Sequence, residues 1–378
     1  MVGSGFAGSV ISERIATQLN QKVLVIEKRN HIGGNCYDFR DKNNNLIHKY
    51  GPHLFHTDNK EVFDYLSSFT QWHEYQHKVL AFIEGQKIPI PFNFNSIDKV
   101  FPENVARRLE KKLLGRYGSD AKIPILKLRE ENDEDLKLLV DYIYEKIFLN
   151  YSAKQWGVKP EDIDAAVTAR VPVFIGRDDR YFNDHYQAVP VDGYSVIFKK
   201  MLHHSNIEIL LNTDFREVMR IDDTGRILFE GEKFSGTVIF TGMIDELFNY
   251  QFGSLPYRSL DLQFETLSQD IFQETATVNY PNDFDFTRIT EFKHIHPVET
   301  AKTTILKEYP KDCEIGKDIP YYPVFNDENR ERYLRYRKLA DGYDNLIMLG
   351  RLAEYKYYDM DDIVARSLEI FEKIKNGK

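Results

Sequence analysis

Three glycines, Gly3, Gly5 and Gly8, write G-x-G-x-x-G at the start of the chain, and the acidic Glu27 closes the apolar run Val23–Ile26. An acidic residue about 20 positions after that glycine motif goes with a dinucleotide held by backbone rather than by side chains. Glycines let the main chain turn tightly and approach a pyrophosphate, and the helix that begins there aims its N–H groups at the anion. Glu27 would then accept hydrogen bonds from ribose hydroxyls. The competing reading is a strand–turn–helix with no ligand.

Four further constellations carry chemistry. Phe148 and Tyr151 lie one helical turn apart, near Trp156, and form either a platform for a flat ring or part of a helix core. Arg170 begins a segment that passes Pro172 and Gly176 to Asp178-Asp179-Arg180-Tyr181; it is a lid arginine or a surface one. Arg288, in F-T-R-I-T-E-F-K-H, sits in strand-like alternation with Thr290 and Phe292. It is a rim charge, or one of two guanidinium forks that hold a diphosphate. Gly350-Arg351 opens a loop that runs through Tyr355, Tyr357, Tyr358 and Asp359 to Met360. Ligands bind beyond the carboxyl ends of such strands, and Asp359 either meets a ligand or caps the last helix. His53 and His56, in G-P-H-L-F-H-T, invite a metal, but no acidic or cysteine partner stands nearby in sequence, so a structural or cofactor-contacting role is favoured.

The elements that must position these residues follow from the hydrophobic pattern. A helix over 7–19 and a strand over 22–27 complete the opening unit. The apolar residues that normally precede such a glycine turn are missing apart from Met1 and Val2; either the native chain starts upstream or the first strand is truncated. A helix is expected over 59–67 and a hairpin around Gly85-Gln86. Leu136, Leu139, Val140, Ile143 and Ile147 recur at helical spacing, whereas the polar stretch 119–134 reads as a surface connection. Strands ending at Thr241-Gly242 and Gly350-Arg351, and a last helix over 360–374, complete the pattern. The expected fold is α/β: a Rossmann-like FAD-binding domain assembled from residues 1–74, 186–243 and 340–378. A helical insertion covers 92–170, and an antiparallel-sheet insertion covers 75–91, 171–185 and 244–339.

Composition narrows the function classes. The 378 residues carry a formal charge of −9, which argues against nucleic acid or an anionic membrane as partner. The two cysteines, Cys36 and Cys313, form no CxxC pair, which removes a dithiol mechanism and fits the cytoplasm. No apolar run approaches the ~20 residues that span a bilayer. With one dinucleotide fingerprint only, a reductant such as NAD(P)H would bind transiently or in the same pocket.

H-I-G-G-N at 31–35, shortly after Glu27, extends the glycine motif toward the FAD signature of glutathione-reductase-like flavoproteins. Together with G-P-H-L-F-H-T, Y-S-A-K-Q-W-G, A-R-V-P-V, R-Y-F-N-D and G-R-L-A-E-Y-K-Y-Y-D-M, the chain resembles the bacterial UDP-galactopyranose mutases over nearly its whole length. The resemblance implies an isomerase that interconverts UDP-galactopyranose and UDP-galactofuranose for cell-surface polysaccharide. It implies reduced FAD, a covalent N5–sugar adduct, no net redox change and a homodimer. It assigns the diphosphate to Arg170 and Arg288, with Tyr181, Tyr322 and Tyr357 around it. It assigns uracil to Phe148 and Tyr151, an active-site place to Trp156, and catalytic places to Arg170, Arg288, His56 and Asp359. The cofactor set it implies is Gly3, Gly5, Phe6, Gly8, Glu27, Lys28, Gly34, Asn35, His53, His56, Phe215, Gly242, Arg351 and Met360. Phe174 stands where many members carry a second basic residue, and His77 where asparagine is common. An amine-oxidase-like flavoprotein and a non-catalytic sugar-nucleotide binder are the competing readings.

Overall fold

Met1, Val2 and Gly3 thread between two strands that would otherwise not meet. The amino-terminal group donates to Leu24 O at 2.8 Å, Val2 N–H to Ile239 O at 2.9 Å and Gly3 N–H to Ile26 O at 2.8 Å. Val2 thereby bridges Val23–Ile26 and Val238–Phe240 in parallel. The expected first strand is thus present as a single bridging residue. Around it, Ile207–Leu210 pairs with Val23–Ile26, and Leu346–Met348 with Val238–Phe240, all parallel. The computed structural model describes residues 1–156, 172–222 and 224–377; the side chains of Phe148, Ser152, Ala153 and Trp156 lie outside that description, as does Arg170.

The helix Phe6–Gln18 starts where the glycine turn ends and packs against Tyr194–Met201 and the closing helix Met360–Lys375. Its buried Phe6, Val10 and Ile11 join two apolar clusters that fix the turn against the sheet. Gly8 serves this packing: a Cβ there would lie 2.0 Å from Gly3 O.

A second, seven-stranded sheet stands beside the first. Its order is Tyr322–Pro323, Tyr257–Leu267, Thr303–Asp312, Arg288–Glu291, Thr277–Asn279, Val79–Ile83 and Gln86–Ile90. Every pair is antiparallel except Thr277–Asn279 with Val79–Ile83. The hairpin turns at Glu84 and Gly85, both at positive φ (50° and 82°), the conformation that a two-residue connection with the right twist requires. The strand carrying Arg288 stops at Glu291. Phe292, expected on the same strand face, instead begins the 3₁₀ turn Phe292–His294.

The helical region differs from expectation in one stretch. Residues 119–134 hold the strand Lys122–Pro124 and the helix Ile125–Arg129. Ile125 and Leu128 are fully buried beneath Glu134–Ile143; two apolar side chains among many charges were enough to anchor a segment whose average composition is polar. Pro172–Phe174, grouped above with the sheet insertion, pairs with Lys122–Pro124 because Val173 and Ile175 fill the same helical core. Likewise Ile244–Leu247 and Asp327–Ala340 pack with Val238–Phe240 and Leu346–Met348, in a cluster that Tyr257 at the start of a large-sheet strand also joins. After Glu134–Ile143 the chain widens into a π-helix, Tyr144–Leu149, before Asn150–Trp156. Such insertions are frequent at functional sites.

Candidate active site

Two cavities meet between the sheets. The smaller, about 270 Å³, is walled by the glycine turn (Gly3, Gly5, Phe6), by Glu27, Lys28, Gly34 and Asn35, and by Phe215, Gly242, Arg351 and Met360. Its floor has no room for side chains. A Cβ on Gly3 would fall 2.1 Å from Thr241 Oγ1, and one on Gly34 would fall 2.9 Å from Gly5 Cα. Both glycines also have positive φ, 95° and 55°. Glu27 is held by Ser4, whose N–H and Oγ donate to Oε2 at 3.0 and 2.7 Å, and by Arg29 N–H to Oε1 at 2.9 Å. A carboxylate accepts more than three hydrogen bonds, so capacity remains for ribose hydroxyls. Arg29 Nη1 is buried with no hydrogen-bond partner among the described residues, a donor left for an acceptor in this cavity. Bare glycine backbone, a fixed carboxylate and an orphan guanidinium donor fit a dinucleotide. Of the cofactor residues expected from the sequence, Gly8 lies behind the turn and His56 lines only the larger cavity.

The larger cavity measures about 600 Å³. It brings together His53, His56, Tyr151, Tyr181, Arg288, Tyr322, Arg351, Tyr357, Asp359 and Met360, which the sequence spreads over three hundred positions. His53, Asn35, Arg351, Asp359 and Met360 line both spaces. Arg351 is anchored by donating to Tyr321 O at 3.1 Å and Tyr358 O at 2.6 Å. Its guanidinium lies 4.8 Å from the Tyr357 ring and 5.5 Å from Tyr322, rings stacked on each other at 6.0 Å. Asp359 stands at the head of Met360–Lys375, its N–H donating to Asp362 Oδ2 at 3.2 Å.

Arg288 is paired in a way the sequence did not reveal. Its Nε lies 2.7 Å from Oε1 of Glu308, a carboxylate with no solvent exposure. Among the described residues neither Glu308 oxygen has a hydrogen bond of good angle, so the charge of Arg288 is its compensation. Burial alone would lower the guanidinium pKa, but Glu308 outweighs it and pushes it well above the ordinary value. Tyr151 lies within electrostatic reach of Arg288, and its phenol is raised by burial.

His56 stacks on Phe182 at 3.7 Å and places Nδ1 3.2 Å from Asp184 Oδ2, a charge contact that falls short of hydrogen-bond geometry. Burial pulls the His56 pKa down; Asp184, with Asp359 and Asp361 further off, more than offsets this and raises it. The strand Phe55–Thr57 that carries His56 is held by Tyr186–Pro190, with Gln187 opposite His56.

Besides Glu308, the site gathers Phe182, Lys122 and His77 on the wall of the larger cavity and Asp184 against His56, none of them assigned a site role from the sequence. His77 lines the larger cavity at 5% exposure, with Nδ1 3.1 Å from Tyr75 Oη. Burial, then the nearby cations Arg288 and His56, lower its pKa to about 3. Phe182 and Asp184 belong to R-Y-F-N-D, so that motif was the available signal. Among the described residues, no cluster of three or more His, Cys, Asp or Glu side chains is arranged to hold a metal, and no helix is long and apolar enough to cross a membrane.

Comparison with known proteins fits this geometry. Residues 1–69 match the NAD(P)-binding Rossmann-like domain, and residues 146–357 match the UDP-galactopyranose mutase family model. A probable UDP-galactopyranose mutase of Klebsiella pneumoniae is 34% identical over 98% of this chain and 92% of its own length. The chain belongs to the UDP-galactopyranose mutase family. Members of this family are flavoprotein isomerases. A dTDP-fucopyranose mutase of Escherichia coli is 35% identical over 100% of this chain and 98% of its own. The fold matches a crystal structure of reduced UDP-galactopyranose mutase with a TM-score of 0.73 at 16% identity, covering 100% of this chain and 93% of that one. Putrescine oxidase shares the fold more loosely, at a TM-score of 0.60 and 12% identity over 99% of this chain and 98% of that one.

Proposed function

We propose that this protein interconverts the pyranose and furanose forms of a nucleoside-diphosphate hexose, UDP-galactopyranose and UDP-galactofuranose, with reduced FAD in the smaller cavity. The observation that carries this reading is the shared wall. One set of residues, His53, Arg351, Asp359 and Met360, faces both the dinucleotide cradle and the larger cavity that holds Arg288 and the tyrosines. The chemistry that reduced FAD supplies when bound is nucleophilic, N5 toward the anomeric carbon, with no net change of oxidation state.

The chain's own residues do the rest. Gly3, Gly5 and the first turn of Phe6–Gln18 hold the pyrophosphate of the cofactor, and Glu27 its ribose. Arg288, preset by Glu308, meets the substrate diphosphate together with Arg170 of A-R-V-P-V. Tyr151 and Phe148 take the base, while Tyr181, Tyr322 and Tyr357 donate around the phosphates. His56 and Asp359 bracket the sugar beside the cofactor. An external reductant such as NAD(P)H keeps the flavin reduced. Exclusion of water matters because water competes with the sugar's own hydroxyl for the activated anomeric carbon.

The test is chromatography of products after dithionite-reduced, FAD-loaded protein meets UDP-galactofuranose, with dTDP-fucofuranose run in parallel. Conversion of the UDP-sugar is expected. Preference for the dTDP-sugar would move the substrate to that of the Escherichia coli relative. Turnover of neither, with oxidation of a primary amine instead, would replace the reading by an amine oxidase. On the same assay Arg170→Ala is expected to cut turnover at least ~100-fold while FAD stays bound.

A further inference from the structure

His48 and His296, on different sheets' margins, meet Nε2 to Nε2 at 2.9 Å. They are 1% and 9% exposed. His48 ends the strand Leu46–His48, and His296 follows the turn Phe292–His294. Two imidazole nitrogens at that distance share one proton, so one ring donates and the other accepts. The direction is set from outside the pair. His48 Nδ1 accepts the backbone N–H of His53 at 3.0 Å and therefore carries no proton. In the neutral ring the proton is on Nε2, which donates to His296. His296 must then hold its own proton on Nδ1.

The same logic reaches the site. His53 Nδ1 lies 2.9 Å from Gly51 O, and a carbonyl only accepts, so Nδ1 of His53 is protonated. Burial lowers the His53 pKa to about 4, so the ring is neutral and its Nε2 is an unprotonated acceptor, on a residue that lines both cavities. Gly51, at a φ of 97°, makes the turn that allows ring and backbone of residues 51–53 to be fixed at once. The rings around the pair, Tyr194 at 5.6 Å and Phe292 at 5.5 Å from His48, keep water out. Burial holds His48 well below the ordinary histidine value, and burial with nearby Arg40 and His73 holds His296 at about 4. Both rings are thus neutral near pH 7, as the hydrogen-bond pattern requires.

We infer that His48 and His296 are positioning residues, a pair of fixed tautomers that clamps residues 51–53 so that His53 presents an unprotonated Nε2 at the junction of the two cavities. Such a nitrogen accepts a hydrogen bond from the cofactor or from a sugar hydroxyl and cannot donate one. The strand that carries His48 pairs with Asp38–Arg40 and packs its Ile47 against Phe292 and Ile295, and the turn that leads to His296 extends the strand bearing Arg288.

Long-range proton–nitrogen correlation on nitrogen-labelled, cofactor-loaded protein reads the tautomers directly. The expected protonation sites are Nε2 for His48, Nδ1 for His296 and Nδ1 for His53; a proton on Nε2 of His53 overturns the inference. His296→Leu, which removes the acceptor, is expected to disturb the His53 resonances. It should also lower kcat roughly 10-fold or more with KM for the nucleotide sugar little changed, the scale of a small misplacement in a positioned site. His296→Gln restores an acceptor oxygen and should recover both. Unchanged rate and unchanged His53 signals in His296→Leu would overturn the inference, and if that variant does not fold, the tautomers of the unaltered protein still decide. The kinetic arm rests on the mutase reading and the spectroscopic arm does not. Unaltered protein that shows these tautomers but turns over no nucleotide sugar would sink the mutase reading and uphold the histidine assignment.

Discussion

Arg288 and Glu308 face each other in antiparallel register, with Nε 2.7 Å from Oε1 and the carboxylate sealed from solvent. The positive charge proposed to meet a diphosphate is therefore already half-committed. Removing one partner of a buried pair leaves an uncompensated charge, at about 3–5 kcal/mol, whereas removing both is far milder.

Arg288→Ala should thus lose stability by a few kcal/mol and lose turnover by roughly 100-fold. The double variant Arg288→Ala/Glu308→Ala should regain most of the stability and none of the turnover. Denaturant midpoints alongside kcat/KM separate the two effects. Equal destabilisation in the single and double variants would mean the pair is not coupled.

The glycine cradle makes a different prediction. Gly3→Ala introduces a methyl that overlaps Thr241 Oγ1 at a backbone conformation with φ of 95°. A cost on the order of 1–3 kcal/mol is expected, together with reduced flavin content in the purified protein. Gly51→Ala, equally strained at φ 97° but with open space around its Cβ, should lose stability while keeping flavin. Absorbance of bound flavin per chain distinguishes them.

Lys154 supplies a third. Its ammonium donates to the carbonyls of Tyr280, Asn282 and Phe284, and Asn150 Nδ2 reaches Asn282 Oδ1 at 2.7 Å. These bonds dock the helix that carries Tyr151 onto the loop leading to Arg288. Lys154→Met keeps the aliphatic stem and removes the donor. KM for the nucleotide sugar should rise about 10-fold with kcat nearly intact, as for loss of uniform binding. A fall in kcat alone would contradict the docking role.

Acid should unfold the protein early. His53, His77 and His296 have folded-state values of about 4, 3 and 4 against an ordinary 6.5, each lowered first by burial, and His48 lies well below it too. Between those values the unfolded chain binds protons that the folded chain refuses, so stability rises with pH and falls as pH drops below 6.5. His56 has the opposite sign: its raised value adds stability below the unfolded pKa that is lost as pH climbs through the folded one. With His31 also lowered and His294 also raised, five histidines against two predict a falling Tm from about pH 7 to about pH 5. A flat Tm over that interval would show that the buried rings titrate normally.

Much of this fold is legible in the amino-acid sequence. The glycine turn and Glu27 announce themselves locally, because backbone geometry demands particular residues at particular offsets. Arg288, Arg351, His53 and Tyr151 stood out through the motifs around them. Glu308 did not: its role comes from strand register, and nothing in T-T-I-L-K-E-Y-P states which strand lies opposite. Ile125 and Leu128 were hidden by charged neighbours, since a five-residue helix offers too few turns for a periodic signal. His48 and His296 are separated by 248 positions, and only the folded chain pairs them.

Arg351 touches both chambers while spending its donors on the carbonyls of Tyr321 and Tyr358. Any occupant that shifts this guanidinium from one side is felt on the other, and such an influence must run equally in both directions. Saturating nucleotide sugar would then tighten the equilibrium hold on the flavin by the same factor by which flavin tightens that on the sugar.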